Sequence, residues 1–294
     1  FWLKSLDFGS SSSSASSLVS TSWVNKMGAN LSVLLAPGQS LGLPFPLSAY
    51  LVLLLCCSGG LRRIIYAFGL GYGACMLTGG LATLSQAPSS PWSTSACCLY
   101  AAYGSRLVFF LLRRQCSKEY NDSKHGRELN SRMDKTPLPV KASVTFFVSL
   151  TQTATVYALQ PVAFASQFST AGWAGLVLGT MGLVLETVAD EEKLAAKKLQ
   201  PDEPIMSGTY RIVRHPNYLG EILFWAGIAG SSLSVSTSWL QRFQGCCGPF
   251  FMIWVMLGAA KRLDKTGAET KYKDNPQYEK YMAETPSLWL RLLA

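Results

Sequence analysis

Charge is what this sequence has least of. Only 15% of its 294 residues are Asp, Glu, Lys or Arg, where a soluble domain carries about 25%. Histidine is nearly missing too: His125 and His215 are the only two, which excludes a multi-histidine metal centre. The eight cysteines include the adjacent pairs Cys56-Cys57, Cys97-Cys98 and Cys246-Cys247, and no C-x-x-C spacing occurs. Metal ligation and a disulfide framework are therefore set aside, and the cysteines read as small apolar packing residues. No G-x-G-x-x-G stretch is present, so a Rossmann dinucleotide site is not available.

What the chain does have is apolar length. Seven apolar runs lie at roughly 43–57, 64–84, 92–112, 142–163, 171–189, 219–240 and 245–260. A helix needs about 20 apolar residues to cross a bilayer; the first and last runs are short and the others suffice. Glycine-rich patches such as Gly69-Leu70-Gly71-Tyr72-Gly73 and Gly172 to Gly182 allow close helix contact. Between the runs, the turn 58–63, the loops 113–141 and 190–218 and the tail 261–294 hold two, eight, five and seven of the 26 Lys and Arg residues. With seven spans all four regions fall on one face. Lys4, Lys26 and Arg242 stay on the other, and Arg106 lies inside a span. The positive-inside bias puts the basic face and the C-terminus in the cytosol. It also accounts for the formal charge of +9 without a nucleic-acid partner.

The expected fold is thus all-α: a polytopic membrane helix bundle of six to seven spans. Residues 31–294 form one membrane domain, with the cofactor-binding half at about 142–294. Residues 1–30, with a serine run at Ser10 to Ser14, read as a disordered or non-native extension. If translation begins at Met27, Met27-Gly28-Ala29-Asn30-Leu31-Ser32 fits a myristoylation pattern.

Polar residues in or beside spans are costly and point to function. Glu186 and Asp190 lie four apart on one face at the basic end of the fifth run, followed by Lys193 and Lys197. The stretch 207–221 crowds Tyr210, Arg211, Arg214, His215, Asn217, Tyr218 and Glu221 around Pro216. Pro216 suits a first helical position preceded by His215. The open N–H groups of that helix start, with Arg211 and Arg214, suit an anionic phosphate or carboxylate. Asn217, Tyr218 and Glu221 can hydrogen-bond a ribose or base. A third cluster, 272–286, holds Tyr278 and reads as a short amphipathic helix. Arg106 either anchors a ligand or snorkels from a helix end.

These clusters spell E-T-x-A-D, R-H-P-N-Y-x-G-E and N-P-x-Y-x-x-Y-x-x-x-T-P. Together with Tyr103-Gly104-Ser105-Arg106-Leu107, Gln152 and Leu159-Gln160-Pro161-Val162, they resemble the C-terminal-domain family of steroid 5-alpha-reductases over about Tyr103 to Pro286. The R-H-P-x-Y-x-G element is shared with the isoprenylcysteine carboxyl methyltransferases. Those enzymes carry an Arg followed by a Glu-Glu pair, which Arg262-Leu263-Asp264-Lys265 does not supply.

The resemblance implies an NADPH site on the cytosolic side. Glu186, Asp190, Lys197, Tyr210, Arg211, Asn217, Tyr218, Glu221 and Tyr278 match family cofactor positions. The implied reaction is hydride transfer to an activated carbon–carbon double bond of a sterol or other enone lipid. The membrane lipids are the only other partner, the membrane is that of the endoplasmic reticulum or a plastid, and no metal takes part. No proton donor is identified. Two alternatives stand beside it: an S-adenosylmethionine-dependent methyltransferase of a lipid or isoprenylcysteine carboxylate, and a non-catalytic membrane subunit.

Overall fold

The computed structural model describes residues 47–117, 121 and 124–288. The extension 1–30 and its myristoylation pattern lie outside these residues. Among the described residues every regular element is helical. Six helices are long and apolar enough to cross a membrane. They are α2 (Ile64–Leu84), α3 (Pro91–Cys116), α5 (Leu138–Ala163), α6 (Thr170–Leu199), α7 (Pro216–Val235) and α8 (Trp239–Lys271). A shorter apolar helix, α1 (Leu47–Cys57), precedes them. Two polar helices complete the elements named among the described residues, α4 (Lys124–Lys135) and α9 (Pro276–Glu284). The chain is therefore an all-α polytopic membrane bundle with six helices of spanning length and a seventh too short to match them. The last apolar run looked short because its helix continues past residues 245–260 at both ends, through polar turns that hydropathy alone does not count.

The ends of the bundle differ in chemistry. At the charge-poor end α3, α6 and α8 start with serine caps. Ser90, Ser169 and Ser238 accept hydrogen bonds from the backbone N–H of Ser93, Gly172 and Gln241, so the first orphan donors of each helix are satisfied without charge. At the basic end charged side chains connect the segments. Arg63 grips Asp134 of α4 at 2.7 and 2.8 Å and Asn130 at 2.9 Å, and Arg113 of α3 pairs with Glu191 of α6. The described residues of all four basic regions lie at this one end of the bundle.

The most extensive helix pair is α6 with α7, an antiparallel hairpin. Its axes approach because small residues face each other. A Cβ on Gly220 would meet the backbone N of Glu186 at 2.5 Å, and one on Gly227 would meet Gly175 O at 2.4 Å and Gly179 N at 2.5 Å. Close backbone approach of this kind replaces the hydrophobic drive that lipid cannot supply. Around it a core forms from Tyr100, Tyr103, Phe224, Trp225, Leu159 and Ile228. The outer faces carry lipid-suited side chains such as Phe109, Phe146, Val177, Met181, Phe250 and Trp254.

The glycine at 227 and its neighbour at 230 give a controlled test, since nothing lies within 4 Å of a Cβ placed on Gly230. Gly227→Ala is expected to destabilise the bundle by about 1–3 kcal/mol through overpacking. Gly230→Ala is expected to be neutral or slightly stabilising, because alanine is the better helix former. Thermal unfolding in detergent reads both, and equal midpoints for the two variants would contradict the close-approach argument.

Candidate functional site

The site begins with a charge triad. Arg106 comes from the middle of α3, and its guanidinium turns into the bundle instead of out to the interface, so it does not snorkel. Its Nη1 donates to Glu186 Oε1 at 2.6 Å, and its Nη2 donates to Asp190 Oδ2 at 2.6 Å and Glu186 O at 3.0 Å. The four-residue spacing of the two acids sets both on one face of α6, and one arginine bridges them. The Phe110 ring lies 5.4 Å from the guanidinium. One oxygen remains over: Glu186 Oε2 is buried with no hydrogen-bond partner among the described residues.

Beside the triad lies an aromatic cluster around Glu221, one turn into α7. The Tyr72 hydroxyl is 3.1 Å from Glu221 Oε1, 3.1 Å from the Tyr103 hydroxyl and 3.1 Å from Trp225 Nε1. A phenol has one proton to give. Directed to the Glu221 carboxylate, it leaves the Tyr72 oxygen to accept from Tyr103 and Trp225. Tyr103 is held flat against Phe224, ring centroids 4.3 Å apart.

Triad and cluster open onto one cavity of about 720 Å³, within the range of roughly 300–1,000 Å³ typical of small-molecule sites. Its walls differ. Toward the basic end it is lined by Lys193, Lys197, Lys198, Lys271 and Arg114. Midway it meets Glu186, Asp190, Asn217, Tyr218 and Glu221, with Tyr72 and Tyr103 behind them. Along α5 and α8 it is apolar, faced by Phe147, Val148, Phe251, Met252 and Val255. Asn217 leans on the triad, its Nδ2 3.4 Å from Asp190 Oδ1. Lys197 is tied to Pro201 O at 3.0 Å and Glu203 O at 2.5 Å. The cavity takes walls from α2 and α3 as well as from residues 142–294, so it is not confined to the C-terminal half.

The arginines expected to form an anion site do something else. Arg214 spends all three nitrogen groups on protein. Nε and Nη2 chelate Asp264 at 3.0 and 2.9 Å, and Nη1 donates to Met282 O at 2.9 Å and to Thr285 O. His215 Nε2 and Ser287 Oγ complete the shell of Asp264 at 2.8 and 2.7 Å. The backbone N–H groups of Arg214 and His215 donate to Pro286 O and Ser287 O. This node staples the tail to the start of α7, and Arg211 points to solvent.

Tyr210 lies under the triad, donating to Ala189 O at 3.3 Å, and Tyr281 donates to Tyr210 O at 2.7 Å. Tyr278 packs on Tyr272, centroids 4.8 Å apart. Burial pushes the Tyr272 phenol up to about 12 and raises those of Tyr210, Tyr278 and Tyr281, so these hydroxyls stay neutral donors near pH 7.

Of the twelve residues singled out in the sequence, Glu186, Asp190, Lys197, Asn217, Tyr218 and Glu221 line the cavity and Arg106 braces it. Tyr210, Arg211, Arg214, His215 and Tyr278 do not line it. Arg214, expected at an anion site with Arg211, acts in this structure as a tail clamp, bidentate on Asp264, while Arg211 stays exposed beside it. Tyr72 was passed over because its glycine neighbours read as a packing patch. Among the described residues no group of three His, Cys, Asp or Glu side chains is placed to hold a metal ion.

Fold and site define a polytopic helical membrane protein with a cationic-to-apolar interior cavity. Residues 70–285 match the family described as a protein of unknown function, DUF1295, and the chain belongs to that family. No curated protein matches it.

The tail clamp generates a prediction. Asp264→Ala strands Arg214, and breaking such a pair costs about 3–5 kcal/mol. Either Arg214→Ala or Asp264→Ala is expected to expose residues 272–288 to limited proteolysis. The double variant should be no worse than the worse single one. Fully additive losses would show that the two residues do not act through each other.

Proposed function

We propose that this chain is a membrane-embedded, NADPH-dependent reductase of a carbon–carbon double bond conjugated to a carbonyl in a sterol or other enone lipid. It would work in the endoplasmic reticulum with its basic end in the cytosol. The observation that carries the reading is the graded cavity, with cations at its basic end, an unsatisfied carboxylate oxygen midway and an apolar wall beyond. The family resemblance in the sequence supports the same reading.

The residues present suit the cofactor. Lys193, Lys198 and Lys271 can meet pyrophosphate and 2′-phosphate oxygens, while the three donors of Lys197 are taken by Pro201 O, Glu203 O and the Tyr272 hydroxyl. Asn217 and Tyr218, which line the same cavity, could hydrogen-bond ribose hydroxyls. Glu186 Oε2 lacks a donor, which an amide N–H₂ supplies. When bound, NADPH provides the hydride. The chain's own part is to polarise the acceptor. The Tyr72 hydroxyl, held by Tyr103 and Trp225, would have to turn its one proton from Glu221 to a carbonyl oxygen reaching it from the cavity. Its proton would then be shared with the developing enolate oxygen. The apolar wall of α5 and α8 shields that hydrogen bond from water.

Charge separates this reading from the methyltransferase. S-adenosylmethionine carries a sulfonium cation and one carboxylate, and a rim of four lysines has little to offer it. In detergent, NADPH is expected to raise the unfolding temperature saturably, by an amount equivalent to about 2.7 kcal/mol at a hundredfold excess over Kd. NADH should act more weakly and S-adenosylmethionine not at all. Lys193→Ala is expected to weaken NADPH binding by roughly tenfold or more, as loss of a charge-assisted bond does. Saturable S-adenosylmethionine binding with no response to NADPH would overturn the reductase reading.

A further inference from the structure

The cavity's apolar half contains two polar side chains, Thr151 and Gln152, and the Thr151 hydroxyl is spent on Val148 O at 2.8 Å. Gln152 sits on α5 among Phe147, Val148, Phe251 and Met252 and lines the same cavity, yet it is only 4% exposed. Its neighbour Thr155 accounts for one end of the amide, with Thr155 Oγ1 3.0 Å from Gln152 Oε1 and 2.8 Å from Gln152 O. The Nε2 end has no partner among the described residues. The residue borders the cavity, where an acceptor carried by a ligand can meet the amide donor.

Its depth follows from the packing of α2 on α5. These helices run parallel, and a Cβ on Gly79 would meet Val156 at 2.5 Å. Counting back four residues on each places Gln152 level with Cys75, roughly one helical turn beyond Tyr72 as seen from the basic end. Gln152 and Tyr72 are thus two separate polar points on the cavity wall, with apolar surface between them.

We propose that Gln152 reads a second oxygen on the lipid, a hydroxyl or ketone distinct from the carbonyl that Tyr72 polarises. The residue sets which lipids bind; it does not take part in the chemistry. The proposal rests on the lipid-reductase reading for the identity of the ligand. A site that holds a buried hydrogen-bonding group rejects analogues that lack the matching oxygen. The favoured lipid therefore carries two oxygen functions on one rigid apolar frame.

The test uses a panel of 4-en-3-one steroids that differ only in the position of one hydroxyl, with the parent lacking it as reference. Binding is measured in detergent without NADPH. One member of the panel is expected to bind the wild-type protein about tenfold more tightly than the parent. Gln152→Met, of similar length, should bind the two alike while keeping its thermal response to NADPH. Gln152→Glu, which keeps an acceptor and loses the donor, should retain the preference for the hydroxyl and, unlike the wild type, show none for a ketone placed at the same position. If no panel member gains over the parent in the wild type, or the gain survives in Gln152→Met, the proposal fails. Discrimination in this binding assay, with no reduction of the same steroid once NADPH is added, would count against the reductase reading and leave the role of Gln152 standing.

Discussion

Arg106, Glu186 and Asp190 are three charges placed where a bilayer offers no water to solvate them. Such groups persist inside a membrane only when paired or turned toward a polar cavity, and here both conditions hold. The guanidinium reaches both carboxylates at 2.6 Å, tying α3 to α6 across the bundle. One cation cannot neutralise two anions. Glu186 Oε2 is left buried without a hydrogen-bond partner among the described residues, at a residue that lines the cavity. Removing either side of such a pair costs about 3–5 kcal/mol, comparable to a large part of the net stability of a domain.

The rest of the interior is arranged around this constraint. Close contact between α6 and α7, which Gly220 and Gly227 permit, draws Glu221 and Asn217 to the same depth as Glu186 and Asp190. The hairpin of α2 and α3 supplies Tyr72 and Tyr103 from the facing side. Every polar side chain in the middle of the cavity therefore stands on a helix fixed by backbone-close packing, as a preorganised site requires. The tail adds a second layer. Arg214 and His215 hold it through Asp264, and its tyrosines close under Tyr210. The R-H-P stretch contributes in two ways: Asn217, Tyr218 and Glu221 face the cavity, and Arg214 and His215 fasten the lid of chain beneath it.

Much of this was legible in the sequence because membrane spans and i,i+4 acids are local patterns. The apolar runs marked the six long helices, and the spacing of Glu186 and Asp190 marked their common face. Arg106 stood out as a charge inside a span, although its partners lie 80 and 84 residues away. Pairings at long range carry no such signal. Nothing local to Arg214 announces Asp264, 50 residues on, so two arginines beside a helix start read as an anion site when one of them is already chelated. Tyr72 failed to stand out for a related reason. Its meaning comes from Glu221, 149 residues away, while its neighbours are glycines. The short first helix shows the limit of hydropathy: α1 is apolar enough to enter a membrane and too short to cross one unaided.

The central claim is that the triad's unsatisfied oxygen receives a donor from a bound nucleotide. Glu186→Gln tests it most directly, because the amide keeps the shape of the side chain and replaces an acceptor with a donor. The measurement is an NADPH titration of the purified variant in detergent, alongside its unfolding temperature. The account predicts affinity weakened by roughly tenfold or more in a protein that still folds and stays monodisperse. Unchanged NADPH affinity in a folded Glu186→Gln variant would contradict it.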